Sequence, residues 1–453
     1  MLNTRAVCII GAGASGIAAA AALSRAGVAF DCLEAGSQPG GLWRYGNDSG
    51  SSVYASLITN TARCNMEWFG YEIPGAPNDY LKHAQVLEYL TAFLTHAKLQ
   101  ESITTWTRVT KVEPAEQGGF RVEAEQRSGE RLQREYASVV VANGRHSTPK
   151  WPDIPGLETA AAVLHACDYR TPEVFAGKNV IVVGFGASGV DIAADAAGVA
   201  RSVTLSTRGG GILLPRYYDG KPGDAPPRPW LYRIPFPIRK RMRRMTLRNR
   251  PTSTKVRALL ERDAAVFDRP AIISDRLSPL LEEDKVLVRP GIARVEKDLV
   301  VFEDGTRAEC DTLVLATGYM TSYPFFPAEL LRTTCGFADR YLRVLPPEAA
   351  GLYFAGQISV AGPYFRLFEA QARWIADLVS RRCLPPSANR LRRLAAHDSK
   401  IGQKRFPYAT QPQDMVDYHS YMHALAREHA AGLRRAERRT VRGSTDRLRD
   451  AAL

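Results

Sequence analysis

Two stretches of this sequence, Gly11-Ala12-Gly13-Ala14-Ser15-Gly16 and Gly184-Phe185-Gly186-Ala187-Ser188-Gly189, place glycines where a backbone must turn sharply and present its N–H groups. A turn of that kind in front of a helix binds phosphate. The first N–H groups of a helix have no partner inside it, and the helix dipole favours negative charge there. The residue at the end of the next strand then selects the ligand. Glu34 stands where a carboxylate accepts hydrogen bonds from a ribose diol, whereas Ser206-Thr207-Arg208 stands in the equivalent place after the second turn. A carboxylate there repels a 2′-phosphate; hydroxyls and a guanidinium bind one. The first turn, which opens the chain, therefore reads as a site for FAD and the second as a site for NADPH. Two dinucleotides on one chain are joined by one kind of chemistry, hydride transfer between nicotinamide and flavin.

The elements that must position these turns are legible around them. Val7-Cys8-Ile9-Ile10 is apolar throughout, as a parallel strand covered on both faces must be. An alanine-rich helix to about Arg25 and a strand over Phe30 to Leu33 complete the first unit. In it Gly11 permits the tight turn, Gly13 lets backbone approach the pyrophosphate and Gly16 allows close helix–strand packing. In the second unit, Val180-Ile181-Val182-Val183 leads to a helix over roughly Val190 to Ala197 and a strand over Ser202 to Leu205. Two further apolar runs end in small residues, Ser138–Val141 at Ala142-Asn143-Gly144 and Thr312–Leu315 at Ala316-Thr317-Gly318. Both are assigned to the first unit, as chain crossings beside its cofactor. Each follows a β-rich stretch, at Phe120–Ala124 and Val300–Phe302. Leu352–Ala355 is another strand candidate, ending at Gly356, with Gln357 just beyond it, placed either to approach the flavin or to pack. The fold class is α/β, with two Rossmann-like dinucleotide-binding domains, the FAD domain being interrupted by an inserted NADPH domain. The corresponding division is 1–160 and 312–426 for the FAD domain, 161–311 for the NADPH domain, and 427–453 for a basic tail.

Composition narrows the class further. The 453 residues are 45% hydrophobic and 24% charged, the balance of a globular protein rather than a disordered one. A net charge of +13 attracts polyanions without saying which. The seven cysteines are scattered and contain no C-x-x-C pair. That spacing fits neither a disulfide framework nor a zinc cluster, and it excludes a dithiol reductase. A reducing, cytoplasmic compartment is the simpler reading. Arg5 followed by apolar Ala6 to Leu23 imitates an export signal, but the glycine spacing accounts for that stretch. No later run reaches the ~18 apolar residues of a membrane span, so no integral membrane association is expected. Pro215 to Arg257 forms an arginine-rich excursion from the second unit, including Arg239 to Arg244. Near Trp230, Leu231 and Phe236 it shows no clear helical apolar stripe, and a solvated face is the default reading. The tail after Arg427 reads as a surface helix or as disordered. No nucleic-acid motif accompanies these charges. The expected partners are a small-molecule substrate and dioxygen; a homodimer is compatible with the sequence.

Beyond the glycine turns, the residues resemble the flavin-containing monooxygenases, in the branch that oxidises nitrogen and sulfur. The likeness runs from Val7 to about Leu425. It includes Gly40-Gly41-Leu42-Trp43, the Y-x-x-L-x-T-N-T stretch from Tyr54 to Thr61, and the H-x-x-x-Y of His165 and Tyr169. It continues with Ala316-Thr317-Gly318-Tyr319 and with Glu369, Gln371, Arg373 and Trp374 of an E-x-Q-A-R-W segment. Asp417-Tyr418 and Tyr421-Met422 resemble the closing segment. The resemblance implies that NADPH reduces FAD, that dioxygen adds to the flavin C4a, and that a soft nucleophile takes the distal oxygen of the hydroperoxide. It implies positioning rather than acid–base chemistry, so no catalytic His or Cys is expected. Asn60 is the residue placed at the flavin edge, where its amide donates a hydrogen bond. Gly41, Leu42, Trp43, Thr59, Thr61, Thr317, Gly318 and Gln357 join the cofactor-binding set with Gly11, Gly13, Ala14, Ser15, Gly16 and Glu34. Gly184, Gly186, Ser188, Gly189, Ser206, Thr207 and Arg208 form the NADPH set.

Departures from the pattern mark where this chain differs. Thr159 and Ala161 stand where the full fingerprint has Phe and Gly, and Asn143 replaces the threonine of the first A-T-G. The former concern the linker between units, and with it retention of the nicotinamide. Tyr169 stands where ketone-oxidising Baeyer-Villiger enzymes carry Trp, which favours the heteroatom-oxidising branch; the Baeyer-Villiger reaction is the first rival. A flavoprotein reductase or oxidase without oxygen transfer is the second.

Overall fold

Val7–Ile10 forms the middle of a five-stranded parallel sheet in the computed structural model, flanked by Phe30–Leu33 on one side and Ser138–Val141 on the other. The structure describes residues 7–46, 48–218, 220–224, 230, 234–248, 253–261, 271–334, 340–360, 362–407 and 415–450. Arg5, Ala6, Leu231 and Cys335, parts of the 215–257 excursion and the last residues of the tail lie outside these. Leu352–Phe354 and Ile103–Thr104 form the edges of the first sheet. The helix Ala14–Arg25 covers it and is buried from Ser15 to Leu23. Its small side chains let the helix Tyr364–Val379 pack close against it, with Trp374 wholly buried in the shared core. Gln371 of that second helix accepts the Gly356 N–H at 2.9 Å and donates to the Tyr421 hydroxyl at 2.7 Å. The E-x-Q-A-R-W segment thus clamps the turn after Leu352–Phe354, while Glu369 and Arg373 pair on the surface.

The second unit repeats this plan. Asn179–Val183 lies between Ser202–Ser206 and Thr312–Leu315, with Val163–His165 and Leu287–Arg289 at the edges, all parallel. Its glycine helix is Ala187–Ala196. Each unit also carries a three-stranded antiparallel sheet, with Phe120–Gln126 central in one and Leu299–Phe302 in the other.

The repeat corrects the assignment of Thr312–Leu315 to the first unit. That strand pairs with Asn179–Val183, Val180 facing Thr312 and Val183 facing Leu315. It is the second unit's copy of Ser138–Val141, each being the parallel strand that comes after an antiparallel sheet. An apolar run fits either sheet equally well, so the run alone could not choose. The strand that returns to the first sheet is Leu352–Phe354. The boundary at 426/427 is corrected too, because one helix runs from Tyr418 to Asp450.

Both passages between the units travel side by side. Thr148–Pro149 pairs antiparallel with Tyr319–Met320. The Lys150 N–H donates to the Gly318 carbonyl at 2.9 Å, and the Thr317 hydroxyl donates to the Lys150 carbonyl at 2.5 Å. In the excursion, Phe236–Arg248 is a helix. Ile238, Met242 and Met245 are exposed by 53%, 46% and 57% on one of its faces. The helix therefore does carry an apolar stripe, which the intervening arginines hide from a reading of the sequence.

Candidate active site between two nucleotide folds

The first glycine turn is built to be close-fitting. Gly11 sits at φ 97°, and a Cβ on Gly16 would lie 1.9 Å from the Gly11 carbonyl oxygen. Gly41, at φ 53°, brings its own turn against Gly13, where a Cβ would lie 2.8 Å from the Gly13 Cα. Gly13 caps the helix Ala14–Arg25 without a side-chain bond, and no acid stands in the first turn. The N–H groups at this helix end therefore face whatever fills the space beyond, and an anion suits them best. Glu34 is buried beside them. One carboxylate oxygen accepts the Ala12 N–H at 2.7 Å and the other accepts the Gly36 N–H at 2.7 Å. Those bonds hold the carboxylate rigid, with lone pairs left over for a ribose diol.

That space is a cavity of about 1330 Å³. Gly11, Gly13, Ala14, Ser15, Glu34, Gly41, Leu42, Trp43, Thr59, Asn60 and Thr61 line it, and so do Ala187, Ser188 and Asp191 of the second glycine helix. Phe236, Met242, Ile272, Phe406 and Tyr418 add apolar wall. The structure therefore brings most of the first site set, the Asn60 strand and the mouth of the second helix to one chamber; Gly16 stands behind its wall, packed on Gly11. The strand Ile58–Ala62 owes its shape to Thr59. The buried Thr59 hydroxyl accepts the Leu81 N–H at 2.9 Å and donates to the Thr61 carbonyl at 2.9 Å. The register with Tyr80–Lys82 shifts between Ile58 and Ala62. Asn60 sits in that irregular stretch, exposed to the chamber.

The second glycine turn has the same build. Gly184 sits at φ 117°, and a Cβ there would lie 2.4 Å from the Ala316 carbonyl oxygen. Gly189 packs on Gly184 as Gly16 does on Gly11. A Cβ on Gly186 would meet nothing within 4 Å, so the helix mouth is open. Gly186 caps its helix without a side-chain bond and the first turn holds no acid, so the residues present fit a second dinucleotide.

Several expected contacts fall elsewhere. The Ser206 hydroxyl donates to the Pro290 carbonyl at 2.8 Å and the Thr207 hydroxyl to the Gly209 carbonyl at 2.7 Å. Neither has a proton left for a phosphate, whereas Arg208 is exposed to solvent. Thr317 and Gly318 do not line the chamber; they stitch the two linkers together. Gln357 is corrected as a direct contact. It is wholly buried behind the wall, and its amide donates at 3.0 Å to Asn143, which does line the chamber. Asn143 in turn donates to the Ser322 carbonyl at 2.9 Å. The asparagine that replaces a threonine is thus fixed on both sides of its amide. His165 is buried among Trp151 and Tyr319, its Nδ1 accepts the Cys167 N–H at 3.2 Å, and burial pushes its pKa down. It is a packed residue of the linker.

Asp191 and Asp195 are functional candidates that the structure adds; their one signal in the sequence is that they stand four apart in an alanine-rich helix. Both are buried. The Tyr54 hydroxyl donates to Asp191 at 2.6 Å, while the Ser56 and Tyr169 hydroxyls donate to Asp195 at 2.5 and 2.7 Å. Arg276 pairs with Asp195 at 2.6 Å. Burial raises the Asp191 pKa to about 6, despite the Tyr54 hydrogen bond that lowers it.

Two parallel nucleotide folds whose helix mouths open on one chamber define a two-dinucleotide flavoprotein oxidoreductase. The family model for flavin-binding monooxygenase-like proteins matches residues 4–432, and the chain belongs to that family. It is an NADPH-dependent, FAD-containing monooxygenase. It is similar to flavin-containing monooxygenase 3 of Rattus norvegicus, at 27% identity over 93% of this chain and 82% of the relative. Dimethylaniline monooxygenase [N-oxide-forming] 4 of Mus musculus is 30% identical over 92% of this chain and 77% of its own length. The solved S-allyl-L-cysteine S-oxygenase of Allium sativum matches with a TM-score of 0.70 and 25% identity, covering 95% of this chain and 89% of the other.

Proposed function

We propose that this enzyme uses NADPH and dioxygen to place one oxygen atom on a nitrogen or sulfur atom of a small molecule. The observation that carries the reading is that Asn60 and the mouth of the helix Ala187–Ala196 line a single chamber with apolar walls. The names of the mouse and garlic relatives, an N-oxide-forming enzyme and an S-oxygenase, support the choice of atom. In this reading the N–H groups from Gly11 to Gly16 hold the FAD pyrophosphate and Glu34 its ribose. Gly41 to Trp43 and Thr59 to Thr61 surround the flavin ring, and Gly184 to Gly189 hold the NADPH pyrophosphate. Bound flavin, once reduced, supplies the two electrons that divide dioxygen between the substrate and water. The protein's share is then to orient, to donate a hydrogen bond from the Asn60 amide, and to keep water out with Phe236, Ile272 and Phe406. A substrate amine or thioether brings its own lone pair, so no side chain need remove a proton.

Supplying the holoenzyme with NADPH, 18O2 and panels of amines, thioethers and ketones tests this, with products identified by mass. N-oxides or S-oxides carrying one labelled oxygen are expected. Lactones or esters alone would move the enzyme to the Baeyer-Villiger reaction, and peroxide alone would make it an oxidase.

Arg208 is assigned the 2′-phosphate. A lost charge-assisted bond of about 1.5–3 kcal/mol corresponds to about ten- to a hundredfold in binding. Arg208→Ala should therefore raise KM for NADPH by about that factor and leave KM for NADH within about twofold. Equal effects on the two would remove the assignment. We also place the enzyme in the cytoplasm. Cys8, Cys32, Cys64, Cys167, Cys310 and Cys383 are free thiols, as a reducing compartment keeps them. Among the described residues no helix is long and apolar enough to cross a membrane.

A further inference from the structure

The loop 51–57 leads directly into the strand that carries Asn60, and two of its hydroxyls are tied to the other unit. Tyr54 bonds Asp191 and Ser56 bonds Asp195, one turn apart on the helix whose mouth opens on the chamber. The backbone adds the Ala55 N–H to the Arg170 carbonyl at 2.9 Å, and Arg170 donates to the Ser51 carbonyl at 2.8 Å. Asp195 is satisfied without the loop, because Tyr169 and Arg276 of its own unit also bind it. Asp191 differs. Its bond to Tyr54 crosses between the units, and it lines the chamber itself.

We propose that Asp191, through its bond to Tyr54, is a positioning residue that sets the distance and angle between the Asn60 strand and the mouth of the second nucleotide helix. This rests on the reading that flavin and nicotinamide meet in the chamber, and it assigns to this pair the alignment of one ring on the other. The carboxylate has a cost that the fold bears. Four groups face it: Asp195 on its own helix, Tyr54 on the loop, Arg216 and Arg276 from the second unit. Asp195 repels the charge, Arg216 and Arg276 draw it, and burial outweighs them. Arg216 is itself shared with Asp275 at 3.3 Å, which weakens its pull. A charged acceptor gives a shorter, stronger bond than a neutral one, so the tie is tightest when Asp191 is ionised. Because its pKa in the fold lies above the ordinary carboxylate value, folding favours the protonated form. The stability contribution of this group is thus fullest at low pH and falls as pH rises from about 4 to about 6. The protein gives up stability at neutral pH to hold a charge there.

Asp191→Asn and Tyr54→Phe, made in the FAD-loaded enzyme, test the assignment. Flavin bleaching by NADPH, monitored without oxygen or substrate, should slow by on the order of ten- to a hundredfold in both. Hydrogen exchange across residues 51–61 should speed up, while FAD content holds. The wild-type bleaching rate should fall below pH 6 with an inflection that Asp191→Asn lacks. At pH 8 the melting temperature of Asp191→Asn should equal or exceed that of wild type. Wild-type bleaching rates and exchange in both variants would overturn the assignment. So would slowing that merely tracks lost FAD or a lowered melting temperature. A wild-type flavin that NADPH cannot bleach would instead bring down the reading of the chamber, and this inference with it.

Discussion

Gly184→Ala should leave a yellow protein that NADPH no longer bleaches. The added Cβ would stand 2.4 Å from the Ala316 carbonyl oxygen, a backbone atom that cannot swing aside, at a φ of 117° that L residues rarely adopt. The strain and the overlap together displace the turn that presents the N–H groups of the helix Ala187–Ala196. The first unit is a separate sheet with its own turn and its own core, so FAD binding should survive. Bleaching by NADPH should fall by about a hundredfold or more, given how steeply hydride transfer depends on alignment. Dithionite, which needs no nucleotide site, should still reduce the flavin at the wild-type rate. Anaerobic spectroscopy reads both. Unchanged bleaching by NADPH would remove the second turn from the reaction.

The second large effect concerns Asn60. Asn60→Leu keeps the branching of the side chain but removes the amide donor from the chamber. Thr59 still receives the Leu81 N–H and still donates to Thr61, so the strand should keep its course. Reduction by NADPH should therefore be close to normal. What should fail is the transfer of oxygen, with product per NADPH dropping about tenfold or more and hydrogen peroxide making up the difference. A donor aimed at developing charge is worth about that much or more in other enzymes. Measuring NADPH, peroxide and product together decides it. Full coupling in the variant would show that the amide does not face the reacting oxygen.

How much of this was visible beforehand depends on what each residue reports locally. The glycine turns, their strands and Glu34 were legible, because backbone strain and double-sided burial leave marks at fixed offsets. The irregular strand holding Asn60 was legible only through resemblance, since Asn-Thr alone is an ordinary polar pair. Gln357 stays ambiguous in the sequence, because a glutamine beside a glycine turn looks the same whether it faces a chamber or props the residue that does. Thr317-Gly318 was misplaced for a similar reason: small residues at a strand end suit a cofactor and suit a crossing of two linkers equally well. Asp191 and Asp195 escaped notice because an acid in a helix is ordinarily a surface residue. Their burial is explained only by partners distant in sequence, the loop 51–57 for both and Tyr169 and Arg276 for Asp195. The stripe of Ile238, Met242 and Met245 was masked by the arginines between them.

The linker ribbon also sets how the two units can be parted. Lys150 and Gly318 are in contact, so everything between them leaves the thread and rejoins it at a single point. A segment whose two ends touch is a cassette along the backbone: the chain enters and leaves it at neighbouring residues, so its insertion need not pull on the sheet it interrupts. The molecule is built less like two beads in a row than like a ring hung on a wire.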